Sequence, residues 1–394
     1  MKWLKDLFDS QKKHFEKGGK FERFYPLYEA NRTLFFIPGH TAPSRPHVRD
    51  GLDLKRLMSF VIIALLPHFF FGVYNAGYFA NLNSGLPLDL VSVMQRGFVI
   101  VLPLVIVSYG VGLFWEGLFS VIRKHAISEG FLVTGLLYPL ILPPTLPLWQ
   151  AAVGITFGVI IGKEVFGGTG KNLVNPALTA RAFVFFAYPV TMSGDSVWIA
   201  SKAGATHVAD AVSGATALAV SAAAAGPAPV EQSLAKAGFT LKTLFWGMYP
   251  GCIGETSTFL CIIGALFLCL TGIASYRIIV GGIIGVLAMG LFLNFIAQPS
   301  SSPYMSLNPL YHLVMGGVAF GITYMATDPV TGPGMNRSKW IYGFFIGVLT
   351  VIIRIFNPAY PEGAMLAILF MNMFAPLFDY IEIKVKLKKR IPNV

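Results

Sequence analysis

The sequence predicts an all-α polytopic membrane protein, and three observations carry that prediction. Charged residues make up 12 % of the 394 positions, about half of the ~25 % usual in soluble domains. Hydrophobic types make up 55 %, and mean hydropathy is +0.64. The apolar stretches are continuous, without the period-two alternation that a β-barrel wall needs. Together these exclude a disordered chain, a fibrous chain and most soluble enzymes.

The elements follow in order. Residues 1–56 form a charged, amphipathic arm without the apolar core of a signal peptide. Leu4, Phe8 and Phe15 predict one helix in it, lying on the membrane or on a partner. Five apolar segments come next, at 57–74, 97–121, 130–145, 148–166 and 177–190. A polar stretch, 191–250, separates them from five more, at 255–273, 277–297, 308–327, 339–356 and 362–380. Most approach the ~20 residues that cross a ~30 Å hydrocarbon core. The third and fifth are short or interrupted by proline, so half-helices are expected there.

Lysine and arginine orient the chain. Net charge is +11, which in a soluble protein suggests nucleic acid, but here the basic residues gather at the termini and in alternate loops. With the arm in the cytoplasm, 24 of the 30 fall on the inner side or in the basic tail. The outer loops receive only Arg96, Lys202, Lys236 and Lys242. That asymmetry predicts ten spans with both termini inside, and no nucleic-acid partner. The expected domains are the arm, 1–56; a first five-helix unit, 57–190; an outer loop, 191–250; a second five-helix unit, 251–382; and a basic tail, 383–394.

The two halves repeat a pattern. Tyr138 through Pro144, then Trp149, then Asn175-Pro176-Ala177 in the first half parallels Tyr324 through Pro329, then Trp340, then Asn357-Pro358-Ala359 in the second. Five is odd, so two such units must be inverted relative to each other. Inverted repeats with interrupted helices place a polar site near the midplane between them.

Several residues could carry chemistry. The run from Gly162 to Ala177 holds Lys163, Lys171, Asn172 and Asn175 among glycines, at a break in the apolar pattern. Its spacing is not that of a phosphate-binding P-loop. Backbone groups freed there need partners, and asparagine offers both donors and acceptors, which suits the edge of an uncharged heterocycle; a simple capped loop is the plainer alternative. Intramembrane charge points to function by default, which singles out Glu116 and Asp328; a structural role, through snorkelling to an interface or pairing, is the equal alternative for both. Arg181 and Arg354 flank the two Asn-Pro-Ala breaks, and a structural role is expected for Arg354. Cys252, Cys261 and Cys269 form no CxxC pair; they read as buried thiols, too few for an internal iron–sulfur cluster. In the outer loop, Asp210 to Thr216 reads as a turn, with no base to activate the hydroxyl.

The chain resembles a known family. EGFLVTG, PPTLPLWQ, GKEVFGGTGKN, NPAL, RAFVFFAYP, DAVSGAT, MATDPV and NPAYPEG occur in the order found in the B subunits of the sodium-translocating NADH:quinone oxidoreductase (Nqr). The likeness runs from about Glu29 to Asp379 and includes LDLKR before the first span. The related Rnf complex has a counterpart, its D subunit, but the long arm and the FWE segment are more similar to the Nqr version.

The resemblance implies an enzyme subunit of the bacterial inner membrane. It implies a urea-transporter-like fold, membrane lipid around it, and a six-subunit complex that moves Na⁺ outward. It also implies FMN joined through its phosphate to a threonine of an SGAT motif. Thr216 fits, with Asp210, Ser213, Gly214 and Ala215 completing the motif. Thr206 is a decoy, because Ala200 stands where the motif has its Asp. Ala211 departs from the usual glycine. Noncovalent riboflavin is implied between the halves, near Thr134, Asn172, Asn175 and Asp328. Ubiquinone is implied toward the cytoplasmic side, near Lys55, Gly112, Trp115 and Glu116, with Leu113 where some members have a second glycine. No resident metal is expected. Electrons would pass from covalent FMN through riboflavin to quinone. No GxGxxG opens a helix after a strand, so NADH oxidation falls to another polypeptide of the complex. The rival readings are the Rnf counterpart and a urea-type channel or transporter without redox work.

Overall fold

The structure is a computed structural model that describes residues 2–16, 18–25, 28–29, 32, 54–123, 130–200, 214–224, 228–298, 301–357 and 360–389. Among the described residues there is helix and no strand. Among the described residues six helices are long and apolar enough to cross a membrane: Leu57–Ser84, Leu90–Arg123, Leu148–Phe166, Tyr276–Ile296, Asn336–Phe356 and Ala364–Lys388. The chain is a multi-pass membrane protein.

Helix α1 spans Lys2–Phe15. Its apolar face meets its own chain, since the rings of Phe15 and Tyr28 stack 5.1 Å apart and the Tyr28 hydroxyl donates to the Phe8 carbonyl at 2.7 Å. The first half holds α2 (Leu54–Ser84), α3 (Leu90–Arg123), α4 (Gly130–Leu140), α5 (Leu148–Ile160) and α6 (Pro176–Ala187). The stretch 191–250 is more than a loop. It holds α7 (Ala217–Ala223), α8 (Val230–Lys236) and α9 (Leu241–Trp246). Leu218, Leu234, Phe239 and Leu244 form a separate small core with Tyr304, Leu307 and Met315.

The second half holds α10 (Thr258–Leu270), α11 (Tyr276–Ile296), α12 (Pro309–Val314), α13 (Asn336–Phe356) and α14 (Ala364–Lys389). After α12 the chain breaks and resumes as a π-turn at Gly321–Met325. Each of the ten predicted segments therefore overlaps a helix. Three of those helices, α4, α6 and α10, are short, and the eighth segment is broken.

Breaks at membrane depth need partners for their peptide groups. Beyond α4, the carbonyls of Leu140 and Leu142 accept from the amides of Gly254 and Ile253, at 2.7 and 3.1 Å. A segment of one half thus satisfies a segment of the other. Beyond α12, Arg354 supplies the donors. Its guanidinium, buried at 1 % exposure, donates to the carbonyls of His312, Met315 and Glu362 at 2.7, 2.7 and 3.0 Å. The structural role expected of Arg354 is what the geometry shows.

Helix α4 packs on α2, α3 and α6, and α5 packs on α3 and α6. In the second half α13 packs on α11 and α14, and the π-turn touches α10, α11 and α14. Between halves, α2 meets α10 and α6 meets α14. Glycines set the α11–α13 contact. A Cβ at Gly285 would run into the Phe344 carbonyl, one at Gly343 into that of Ile278, and one at Gly347 into that of Gly282. Small residues of this kind let membrane helices approach backbone to backbone.

Candidate functional site

Two of the cavities among the described residues hold expected site residues. The first, of about 690 Å³, is lined by residues from α2, α4, the loop before α6, α10 and the π-turn region. Its polar wall contains Thr134, Asn172, Asn175 and Asp328, with Lys163, Thr169 and Thr327 beside them. All four residues expected at riboflavin therefore share one cavity, although Asp328 is far from the others in sequence.

Local chemistry explains how they are held. The loop before α6 turns on Gly167, Gly168 and Gly170, whose φ angles of 113°, 93° and 88° favour glycine. It ends at Asn175, the N-cap of α6, whose Oδ1 accepts from the amides of Ala177 and Leu178 at 3.0 and 3.4 Å. The oxygen is thus spent on capping, and the amide nitrogen is left facing Asp328 Oδ2 at 3.5 Å. Asp328 likewise braces its own loop, accepting from the Val330 amide and the Thr331 hydroxyl at 3.1 and 3.0 Å. Asn172 Nδ2 donates to the Val174 carbonyl at 3.2 Å. Thr169 Oγ1 is buried in the same wall with no hydrogen-bond partner.

Of the residues expected at quinone, Glu116 sits behind this wall. Glu116, 1 % exposed, pairs with Lys163, 3 % exposed, and Lys163 is part of the cavity lining. Trp115 Nε1 donates to Thr156 Oγ1 at 3.0 Å. Gly112 abuts the ring of Phe131, over which Lys163 Nζ lies 5.9 Å from the centroid. Lys55 belongs to α2, but its side chain lies outside the described residues, as do Asp210, Ser213 and the decoy Thr206.

The second cavity, of about 620 Å³, opens at Thr216. Thr216 is the N-cap of α7, its Oγ1 accepting from the Ala219 amide at 3.2 Å. Gly214 and Ala215 lead into it, and the Gly214 amide donates to the Asp195 carbonyl at 2.9 Å. The floor is charged, and sequence reasoning missed most of it. Arg181 pairs with Glu362 and lies 3.4 Å from Glu255, and its Nη2 is 3.5 Å from Cys252 Sγ. The sequence pattern singles out Arg181 but neither Glu255 nor Glu362. Their signal is a lone carboxylate at the start of the sixth and of the tenth apolar segment.

The NQR2, RnfD, RnfE family profile matches residues 41–388. The chain belongs to that family. Members similar to it include proteins named as the B subunit of Na(+)-translocating NADH-quinone reductase from Yersinia pestis and Ectopseudomonas mendocina, each 45 % identical over 98 % of both chains. A third, of the same name, from Chromohalobacter salexigens, is 46 % identical over 98 % of this chain and 96 % of its own. Similarity to these NQR2, RnfD, RnfE family members spans both cavities.

Proposed function

We propose that this protein is the B-type subunit of a Na⁺-translocating NADH:quinone reductase, carrying FMN on Thr216 and riboflavin in the first cavity. The observation that carries this reading is the meeting of Asn175 and Asp328, from different halves, in one polar-walled cavity. The residues fit an uncharged heterocycle. Asn172, Asn175 and Thr134 offer neutral polar groups, and Thr169 Oγ1 is an orphaned buried hydroxyl that a ligand would satisfy. When bound, the flavins supply one-electron transfer between a partner protein and quinone. The chain's own residues bind and orient. Asn175 and Asp328 fix the cavity wall through their caps, while Lys163 and Glu116 neutralise each other between the cavity and the proposed quinone side. Lys55, Gly112, Trp115 and Glu116 are the proposed quinone residues.

The architecture goes with this function. Ten spans in two inverted five-helix units, residues 57–190 and 251–382, put the arm and the basic tail in the cytoplasm and 191–250 outside. Corresponding pairs support the repeat: α3 with α5 matches α11 with α13, α5 with α6 matches α13 with α14, and α4 with α6 matches the π-turn with α14. Asp210 and Ser213 complete the attachment motif ahead of Gly214 and Ala215. The rival reading, a channel without redox work, is supported by the same repeat but leaves the Thr216 cavity without a purpose.

The test is flavin attachment. The purified complex should show flavin fluorescence on this chain after denaturing electrophoresis. Thr216→Ala should abolish it while riboflavin remains extractable, and Thr206→Ala should leave it intact. FMN mass on Thr206, or a colourless wild-type band, would overturn the assignment.

A further inference from the structure

The α11–α13 pair carries an apolar groove on its outward face. Gly281 and Ile284 of α11 line it, with Trp340, Ile341, Phe344 and Phe345 of α13. Ile284, Trp340, Ile341 and Phe345 are exposed, and all lie in helices long and apolar enough to cross a membrane. The two helices run parallel, because Gly281 abuts Trp340 and Gly285 abuts Phe344. Their N-termini, with the basic residues there, therefore lie at one end of the groove.

Helical register sets what stands at that end. Arg277, Gly281 and Ile284 are spaced i, i+4, i+7, and so are Arg337, Ile341 and Phe344. Each arginine thus stands one turn before the lining and on the same face. Helical side chains lean toward the N-terminus, which carries both guanidiniums past the apolar lining to the level of lipid headgroups. The Arg277 guanidinium lies over the Tyr276 ring, 4.7 Å from its centroid, and Tyr276 meets Trp340 edge-on at 6.3 Å. Tyrosine and tryptophan favour that level of a bilayer. Among the described residues neither guanidinium pairs with a carboxylate. Asp379 and Glu382, which reach the start of α13, accept instead from the amides of Gly334, Met335, Arg337 and Ser338.

We propose that this groove binds an anionic phospholipid, its phosphate held by Arg277 and Arg337 and one acyl chain laid along Ile284, Ile341 and Phe345. Arginine suits a phosphate because its planar fork gives two parallel hydrogen bonds, and basic recesses between membrane helices take such headgroups. A partner's helix fits less well. Helix contacts in membranes use small residues, and Gly285, Gly343 and Gly347 already face the opposite helix of the pair. What remains for an occupant is mostly bulky and aromatic, with two positive charges at its edge. The inference stands independently of the flavin reading.

The experiment places the purified complex in phosphatidylcholine nanodiscs doped with a lipid that carries a diazirine on its acyl chain. The probe has either a phosphatidylglycerol or a phosphatidylcholine headgroup. After illumination, mass spectrometry reads labelling of the 340–354 peptide, with peptides of α2 as the standard. Each guanidinium favours the anionic headgroup by about fivefold, so the phosphatidylglycerol probe should label this peptide several-fold more than the other. Arg277→Gln combined with Arg337→Gln should bring the two probes to parity. Ile284→Trp, which fills the groove and keeps both charges, should lower labelling by both. Equal labelling of the wild type by the two probes marks ordinary annular lipid and overturns the proposal. Protection of the peptide from both probes also overturns it, since a partner's helix then occupies the groove. Should the double variant fail to assemble, Ile284→Trp decides, and undiminished labelling there overturns the site.

Discussion

Asn175 has two jobs that a single substitution can separate. Its side-chain oxygen caps α6, and its amide nitrogen faces Asp328 in the first cavity. Asn175→Ala removes both. Asn175→Ser keeps a good N-cap but deletes the amide donor. Loss of the cap costs about 1 kcal/mol, within a range of about 0.5–2. Loss of a hydrogen-bond donor to a buried ligand costs about 1–3 kcal/mol, which is roughly a 5- to 150-fold loss of affinity. The two variants should therefore lose riboflavin alike on purification, while only the alanine variant unfolds earlier on heating. Flavin extraction and a thermal-shift assay on the same sample read both effects, and FMN on Thr216 serves as the internal standard. Retention of riboflavin in the serine variant with loss in the alanine variant would show that Asn175 acts only as a cap. Full retention in both would move the ligand out of this cavity.

Other expectations follow from the same geometry. Glu116→Gln should slow quinone reduction more than flavin reduction in stopped-flow spectra. Breaking its buried pair with Lys163 from either side should cost about 3–5 kcal/mol, with Glu116→Gln plus Lys163→Met costing less than the two single changes together in a double-mutant cycle. Arg354→Met leaves three carbonyls without their donor, at about 1–3 kcal/mol each, so the complex should assemble poorly, as size-exclusion chromatography would show. Gly112→Ala drives a Cβ into the fully buried Phe131 ring; the displaced ring should disturb Lys163, and quinone turnover should fall while the covalent flavin signal stays.

Much of the fold was legible because apolar content is written residue by residue. All ten segments overlap helices, but their ends were harder to place. Helix α2 runs ten residues past its expected end, through Asn75 and Asn81. Those amides interrupt the apolar pattern, but their nitrogens find acceptors in place, Asn75 Nδ2 at the Tyr249 carbonyl at 2.9 Å and Asn81 Nδ2 at the Pro87 carbonyl and Ser92 hydroxyl at 2.9 and 3.0 Å. The small core of the 191–250 stretch was not legible, because helices of six or seven residues are too short to show a period and part of that core, Tyr304, Leu307, Tyr311 and Met315, lies beyond residue 303. The first cavity's residues came from motifs that stay recognisable in isolation. The second cavity's floor did not, since Arg181 meets carboxylates 74 and 181 positions away in the chain and no local pattern announces such a meeting.

The glycine contact between α11 and α13 has a mechanical consequence. Where side chains separate two helices, rotamers can yield and the pair can slip by fractions of an ångström. Here carbonyls of one helix occupy the space that side chains would fill on the other, so there is nothing soft between them. Glycines 281 and 285, like 343 and 347, are four residues apart, about 6 Å along the axis. A slide must therefore travel a full notch or not occur, as in ratcheting helix interfaces. The pair is built as a fixed post, in contrast to the short and broken helices around the two cavities, whose ends are tied by single side chains such as Asn175 and Arg354.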